Sequence, residues 1–92
     1  MLTIEQIKTA IANNDGCGIF KYVRVGNEFR FTDIMSEHKS LVKDGEKAFS
    51  GAMLRIKFNA IRVTDYSMSL NIGPSIDDEE LLSKLFDMPV FE

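Results

Sequence analysis

Cys17 and His38 are the only residues of their types in the chain, and together they could do chemistry. A thiol beside an imidazole can act as a nucleophile, so this pair is the one thiol mechanism that the sequence offers. Neither residue stands in a recognised family signature, and their separation in sequence neither supports nor excludes a contact. We therefore predict no catalytic residue, and a Cys17/His38 thiol enzyme stays the least favoured hypothesis.

The acidic run Asp77 to Glu80 is the second candidate for chemistry. A calcium loop alternates its ligands and contains a glycine, and this run has neither feature. Acidic residues are common in the first turn of a helix, where they face the positive end of the helix dipole. One cysteine and one histidine do not build a structural zinc site, and no phosphate-binding glycine motif occurs. We predict no metal site and no cofactor.

Aromatic and basic residues mix between Phe20 and Phe31, as in a platform for single-stranded nucleic acid. Gly26-Asn27, however, predicts a tight hairpin turn that pairs Val25 with Glu28 and continues to Phe20 opposite Asp33. This register puts the aromatic residues on one face: Phe20, Tyr22, Phe29 and Phe31. The other face then carries Lys21, Val23, Arg30 and Thr32. Because a platform needs rings and cations on the same exposed face, we predict that these rings form a core.

Both chain ends have helix signals. Thr3 and Gln6 form a capping box before a helix that begins at Ile4, with Leu2 placed to pack on Ile7. This helix has an apolar stripe and is predicted to end in the Asn13 to Gly16 region. Near the C-terminus, Asp77 and Glu80 form a second box, with Ile76 placed to pack on Leu81. The predicted apolar stripe of this second helix is Leu81, Leu82, Leu85 and Phe86.

The stretch from Ala52 to Ile72 alternates apolar and polar residues, which is typical of half-buried strands. This alternation changes phase before Ile61, so that the later apolar residues would point to the other face of a continuous strand. We predict a hairpin that turns at Thr64-Asp65, with a β-bulge at Asn59-Ala60 that restores the phase. The bulge would set Phe58 opposite Leu70 and Ile56 opposite Ile72.

The segment 35–51 fits two structures, a small hairpin around Lys43 to Glu46 or a helical turn at Glu46 to Phe49. We predict an exposed excursion from the sheet in either case. The C-terminal tail, Val90-Phe91-Glu92, is apolar for a chain end and is expected to dock on its own domain or on a partner.

These elements predict a single domain, residues 1–92, of the α+β class: a two-layer sandwich in which both helices cover one face of an antiparallel sheet of four or more strands. The second sheet face would be open and basic. We predict binding through this face, its edge or the tail. The candidate binding residues are Lys21, Arg30, Arg55, Lys57, Val90 and Phe91.

Composition narrows the function classes. The net charge is −3, yet residues 21–62 contain nine basic and five acidic side chains, whereas residues 63–92 contain one basic and seven acidic ones. No apolar run is long enough to span a bilayer, and the start lacks the pattern of a signal peptide, so we expect a cytoplasmic protein. The leading hypothesis is a non-enzymatic module that binds a protein partner or itself, as a homodimer. The alternative is nucleic-acid binding through the basic face and segment 39–47.

Overall fold

The computed structural model describes residues 1–91 and contains a four-stranded antiparallel sheet with a helix near each end of the chain. The helices are α1 (Ile4–Ala12) and α2 (Asp78–Phe86). The strands are β1 (Gly18–Val25), β2 (Glu28–Thr32), β3 (Ser50–Lys57) and β4 (Ala60–Thr64), in the spatial order β2-β1-β3-β4. The predicted α+β class and the antiparallel four-stranded sheet are confirmed.

One hydrophobic core joins both helices to the first face of the sheet. Phe31 of β2 and Phe86 of α2 meet edge to face, with ring centroids 5.4 Å apart. The rings of β1 and β2 thus lie under the helices, as the hairpin register predicts, although Phe29 is only half-buried. The buried members of this core are Ile7, Ile11, Phe20, Tyr22, Phe31, Ala52, Leu54, Ile56, Ile61, Leu82 and Phe86.

The first helix and the first hairpin follow the sequence signals. The Thr3 hydroxyl accepts from the Gln6 N–H, while the Gln6 side chain accepts from the Thr3 N–H, so the capping box is complete. Gly26 adopts φ 61° in the turn, and Val25 faces Glu28 across it. The ladder ends at Thr32, so the predicted pair of Phe20 with Asp33 does not form part of it.

The second hairpin turns earlier than predicted. Phe58 and Asn59, at φ 50° and 60°, form a two-residue turn that leaves Lys57 opposite Ala60 and Ile56 opposite Ile61. Both positive φ values are those of a type I′ turn, whose twist suits a hairpin. The alternation of apolar and polar residues therefore changes phase at the turn. Phe58 and Asn59 are not paired between β3 and β4, so the apolar residues of β4 lie on the same sheet face as those of β3. The predicted bulge at Asn59-Ala60 is wrong.

The predicted strand from Tyr66 to Ile72 is also wrong. The chain leaves β4 at Thr64, and Asp65 adopts φ 64°. Ser67 and Ile72 then exchange backbone hydrogen bonds and close a short loop. Consequently Leu70 and Ile72 do not pair with Phe58 and Ile56, and residues 65–72 lie beside the sheet as a loop.

Replacing Phe58 with glycine should stabilise the protein. The left-handed conformation costs a bulky residue about 1–2 kcal/mol, which exceeds the roughly 0.5–1 kcal/mol of extra unfolded-state entropy that glycine brings. The ring is 71% exposed, so its removal forfeits little burial. We expect the unfolding free energy in urea to rise by roughly 0.5–1 kcal/mol. Asn59→Gly is the control and should change it little, because asparagine tolerates this conformation. A loss of stability in Phe58→Gly would contradict the prediction.

The second helix differs from its predicted start. Asp77 makes no side-chain capping bond, and Ile76 is fully exposed, so it does not pack on Leu81. Leu82 and Phe86 are buried, whereas Leu85 lies largely in solvent. Glu80 and Lys84, four positions apart in this helix, form an ion pair at 3.4 Å, and Asp87 ends the helix in the left-handed conformation.

Each end of the chain contacts one edge of the sheet. The Ile61 N–H donates to the Pro89 carbonyl and the Phe91 N–H donates to the Ile61 carbonyl, so the tail pairs in parallel with β4. On the other edge, the Leu2 N–H donates to the Phe31 carbonyl. The tail thus docks on its own domain as far as Phe91, and Glu92 lies outside the described residues. Within residues 1–91, no helix has the length and apolar character to cross a membrane.

Candidate functional site

The second face of the sheet is covered over one half and open over the other. Residues after β2 turn back over this face, where a 3₁₀ turn, His38–Leu41, contacts β1 and β2. Val23 beneath it is fully buried, and Leu41 is buried as well. Neither the small hairpin nor the helical turn predicted for segment 35–51 forms, because the segment is held by contacts with the sheet. The prediction of a wholly open second face is wrong for this half.

Arg30 lies under this covering segment and fixes it in place. Its guanidinium donates to both carboxylate oxygens of Glu46, at 2.6 and 2.7 Å, and to the Leu41 carbonyl at 2.8 Å. It also donates to Glu28. The hydrogen bonds from Arg30 lower the pKa of Glu46 to about 2, so this carboxylate stays charged. Arg30 is therefore buried and paired, outside the open surface in which the sequence placed it.

The open half carries a basic strip, which we define as Lys21, Arg55, Lys57 and Arg62. Arg55 lies directly opposite Arg62 across β3 and β4, and its Nε donates to the Thr64 hydroxyl. Two like charges facing each other across an exposed sheet repel. Among residues 1–91, none of the four cations has a carboxylate within salt-bridge distance. The strip is thus an uncompensated positive surface on an acidic protein.

A groove continues from the strip toward the 65–72 loop. Lys21 faces Met53 across β1 and β3, and both side chains line this groove. Met68 and Tyr66, which are exposed on the loop, also line it. The volume is about 550 Å³, within the range of ligand sites. We call it the methionine groove, and its lining residues are Lys21, Glu37, His38, Met53, Asp65, Tyr66, Met68 and Ser69.

His38 supplies a buried polar atom to this groove. The side chain is 4% exposed, and its Nε2 lies 2.8 Å from the Ala52 carbonyl. Because a carbonyl only accepts, Nε2 carries the proton and Nδ1 keeps a free lone pair. Every buried side-chain nitrogen or oxygen of residues 1–91 has a partner. Nδ1 makes no hydrogen bond within these residues, so it is not fully enclosed, and His38 is one of the residues that line the groove. Burial lowers the pKa of His38, and the charge of Lys21 lowers it further.

A second cleft, of about 510 Å³, lies at the other end of the strip. Arg55, Lys57 and Phe91, three of the six predicted binding residues, line it together with Cys17 and Ile19. Val90 sits beside it, paired with β4 and partly exposed. The fold therefore brings most of the predicted residues onto one side of the molecule, whereas Arg30 is separated from them.

Cys17 and His38 lie at opposite ends of β3. His38 bonds to Ala52, whereas Cys17 precedes Gly18, the residue that faces Ile56. These two contact points are four positions apart along β3, a distance of about 13 Å. The Cys17 thiol instead approaches the Asp15 carbonyl at 3.6 Å. The two side chains are thus not placed as a catalytic pair.

Comparison of the chain with protein-family models, curated proteins and solved structures finds no match. The function has to be argued from the site itself. In the part of the chain that the structure describes, no three His, Cys, Asp or Glu side chains are grouped as metal ligands.

The sequence pointed to the basic residues but not to the groove. The spacing of Tyr66 and Met68 is typical of a strand, so the predicted hairpin included them, whereas they lie in a loop. Two residues with positive φ bound this loop, Asp65 at 64° and Asn71 at 54°. Asp and Asn tolerate that conformation better than most residues, so these two residues were the sequence signal for a loop. The position of His38 has no local signal, because only the fold places it over β3.

Proposed function

We propose that this protein is a non-enzymatic binding module for an acidic, extended segment of a partner protein, which lies across the basic strip. The observation that carries the proposal is the exposed pair Arg55 and Arg62, which face each other without a carboxylate of residues 1–91 between them. A carboxylate of the partner placed between the two guanidinium groups would replace repulsion with attraction. Lys57 and Lys21 extend the same charge along β3 and β1.

The surroundings of the strip favour a peptide over a nucleic acid. Glu37 and Asp65 line the groove at one end of the strip, where they would repel a regularly charged phosphate chain. Lys39, in the segment that the nucleic-acid hypothesis uses, already pairs with Glu37 at 3.3 Å. A peptide can instead place its acidic side chains over the strip and an apolar side chain in the groove. We also propose that the protein acts in the cytoplasm.

The outer edge of β4 is a weaker candidate for partner binding than the open face. Its two outward N–H groups, those of Ile61 and Val63, already donate to the Pro89 carbonyl and to the Glu79 side chain. A strand added by a partner would have to displace both contacts. The proposal therefore uses the face of the sheet and leaves its β4 edge unchanged.

Charge reversal tests the proposal. The probe is a fluorescently labelled peptide with the repeat Leu-Ser-Glu-Ser, the Glu-Leu peptide, in which leucine and glutamate lie two positions apart and so share one face of an extended chain. Binding is followed by anisotropy at low salt. We expect Arg55→Glu/Arg62→Glu to weaken binding by about tenfold or more, because the strip then repels the peptide. The control is Lys47→Glu combined with Lys43→Glu, which makes the same change in net charge on the covering segment and should alter affinity less than about twofold.

Other outcomes would contradict the proposal in distinct ways. If a single-stranded oligonucleotide bound more tightly than the peptide, and if Lys43 and Lys47 mattered as much as the strip, the nucleic-acid hypothesis would replace it. If sedimentation showed a dimer that the double reversal dissociates, the partner would be a second copy of this chain. Unchanged peptide affinity in the double reversal would exclude the strip as the binding surface.

A further inference from the structure

The floor of the methionine groove offers a hydrogen-bond acceptor that the protein does not use. His38 is held by the bond from its Nε2 to the Ala52 carbonyl, which fixes the ring and its tautomer. Nδ1 is then a free acceptor on a residue that lines the groove, where charged and polar side chains are mixed with Met53 and Met68. A group that binds here must bring a donor, since an unsatisfied acceptor would lose its contact with water.

Lys21 offers the complementary donor on the same wall of the groove. Lys21 and His38 both line the groove, and the charge of Lys21 lowers the pKa of the His38 ring. Glu37 and Asp65 are the other charged groups that line the groove. They offset the charge of Lys21, so a neutral ligand group suits the groove better than an anion does. Met53 and Met68 add flexible apolar surface that adapts to different side chains.

We propose that the methionine groove binds a peptide amide with its apolar side chain: the amide N–H donates to His38 Nδ1, a carbonyl accepts from Lys21, and the side chain packs on Met53 and Met68. This inference rests on the proposed function, because one peptide segment occupies both the groove and the strip. Lys21 and Met53 form the cross-strand pair next to Ile19 and Arg55 on the same face. An extended peptide advances about 6.6 Å in two residues, which matches this step. The ligand is therefore a peptide with an apolar and an acidic residue two positions apart.

Nuclear magnetic resonance of the ring nitrogens tests the amide contact in the full chain labelled with ¹⁵N-histidine. Since His38 is the only histidine, its signals are unambiguous. We expect the Nε2-protonated tautomer in the free protein. N-acetyl-leucine methylamide should shift the Nδ1 resonance toward that of a hydrogen-bonded nitrogen, whereas the same compound methylated on both amide nitrogens should not. A proton on Nδ1 in the free protein, or the same response to both compounds, would overturn the inference. Cytidine is the probe for a base ligand, and a shift caused by cytidine alone would also overturn it.

A substitution separates this inference from the proposed function. His38→Gln keeps an N–H for the Ala52 carbonyl and has no acceptor at the position of Nδ1, because its amide oxygen is bonded to the same carbon as that N–H. The Glu-Leu peptide should therefore bind roughly three- to tenfold more weakly. If His38→Gln binds the peptide normally while Arg55→Glu/Arg62→Glu does not, the strip is the binding surface and the assignment of the groove is wrong. If Arg55→Glu/Arg62→Glu leaves the peptide affinity unchanged while the leucine amide still shifts the Nδ1 resonance, the groove binds the amide and the strip is not the binding surface. Should His38→Gln fail to fold, the resonance experiment on the unmodified chain still decides the matter.

Discussion

Replacing Asp78 with alanine is expected to lower the free energy of unfolding by about 3–5 kcal/mol. The carboxylate is completely buried, and it accepts from the Tyr22 hydroxyl at 2.7 Å and from the Ser50 hydroxyl at 2.6 Å. The Ser75 N–H, at 2.9 Å, and the Arg24 guanidinium, at 3.1 Å, complete its partners. Alanine would leave the Tyr22 and Ser50 hydroxyls without this acceptor in a site that water does not reach, whereas Arg24 would keep its contact with Asp77.

The ionisation of Tyr22 supports the same picture. Burial raises the pKa of this hydroxyl, and the hydrogen bond to Asp78 raises it further, so the proton stays on the tyrosine and is donated to the carboxylate. The network ties β1 and β3 to the first turn of α2. Its loss would therefore loosen the helix from the sheet as well as leave polar groups unpaired.

Urea denaturation followed by circular dichroism measures this effect, and Asp77→Ala is the matched control. Asp77 also contacts the Arg24 guanidinium, at 3.0 Å, but its side chain is half exposed. Solvent screens that contact, so the control should lose far less stability than Asp78→Ala. Equal losses in the two variants would show that burial of Asp78 does not decide its contribution.

Replacing Phe86 with alanine is expected to cost about 3–5 kcal/mol, because it leaves a cavity in the core. The ring is 1% exposed and packs edge to face on Phe31, so its loss removes an aromatic pair as well as buried area. The same measurement on Leu85→Ala provides the control: this neighbour in α2 is 43% exposed and should cost about 1 kcal/mol or less. If both substitutions lowered the free energy of unfolding equally little, the Phe86 side of α2 would not pack on the sheet.

The parts of the fold that local signals specify were predictable. Thr3 and Gln6 cap α1 through bonds within four residues, and Gly26 can take φ 61° without a steric cost. The Phe58-Asn59 turn instead has positive φ at both of its residues. It was missed because phenylalanine is rare at positive φ, so the break in phase at this point was interpreted as a bulge.

Long-range contacts determine what the sequence did not reveal. Residues 35–49 depend on Arg30, whose bonds to Glu46 and Leu41 span 16 and 11 positions in the chain. No periodicity encodes such contacts. The same covering segment buries Arg30 and brings His38 over β3, so the open surface and the groove could be defined only once the fold was known. The basic residues Lys21, Arg55 and Lys57 were assigned to the second sheet face from strand alternation alone, and the structure places them there.

The tail on β4 has a consequence for how copies of this protein avoid joining into fibrils. The Ile61 N–H and carbonyl, which Pro89 and Phe91 occupy, are the groups through which a foreign strand would extend the sheet. Proteolytic trimming after α2 would uncover them and leave a template for amyloid-like growth. We therefore expect the residues after α2 to hinder polymerisation through this edge.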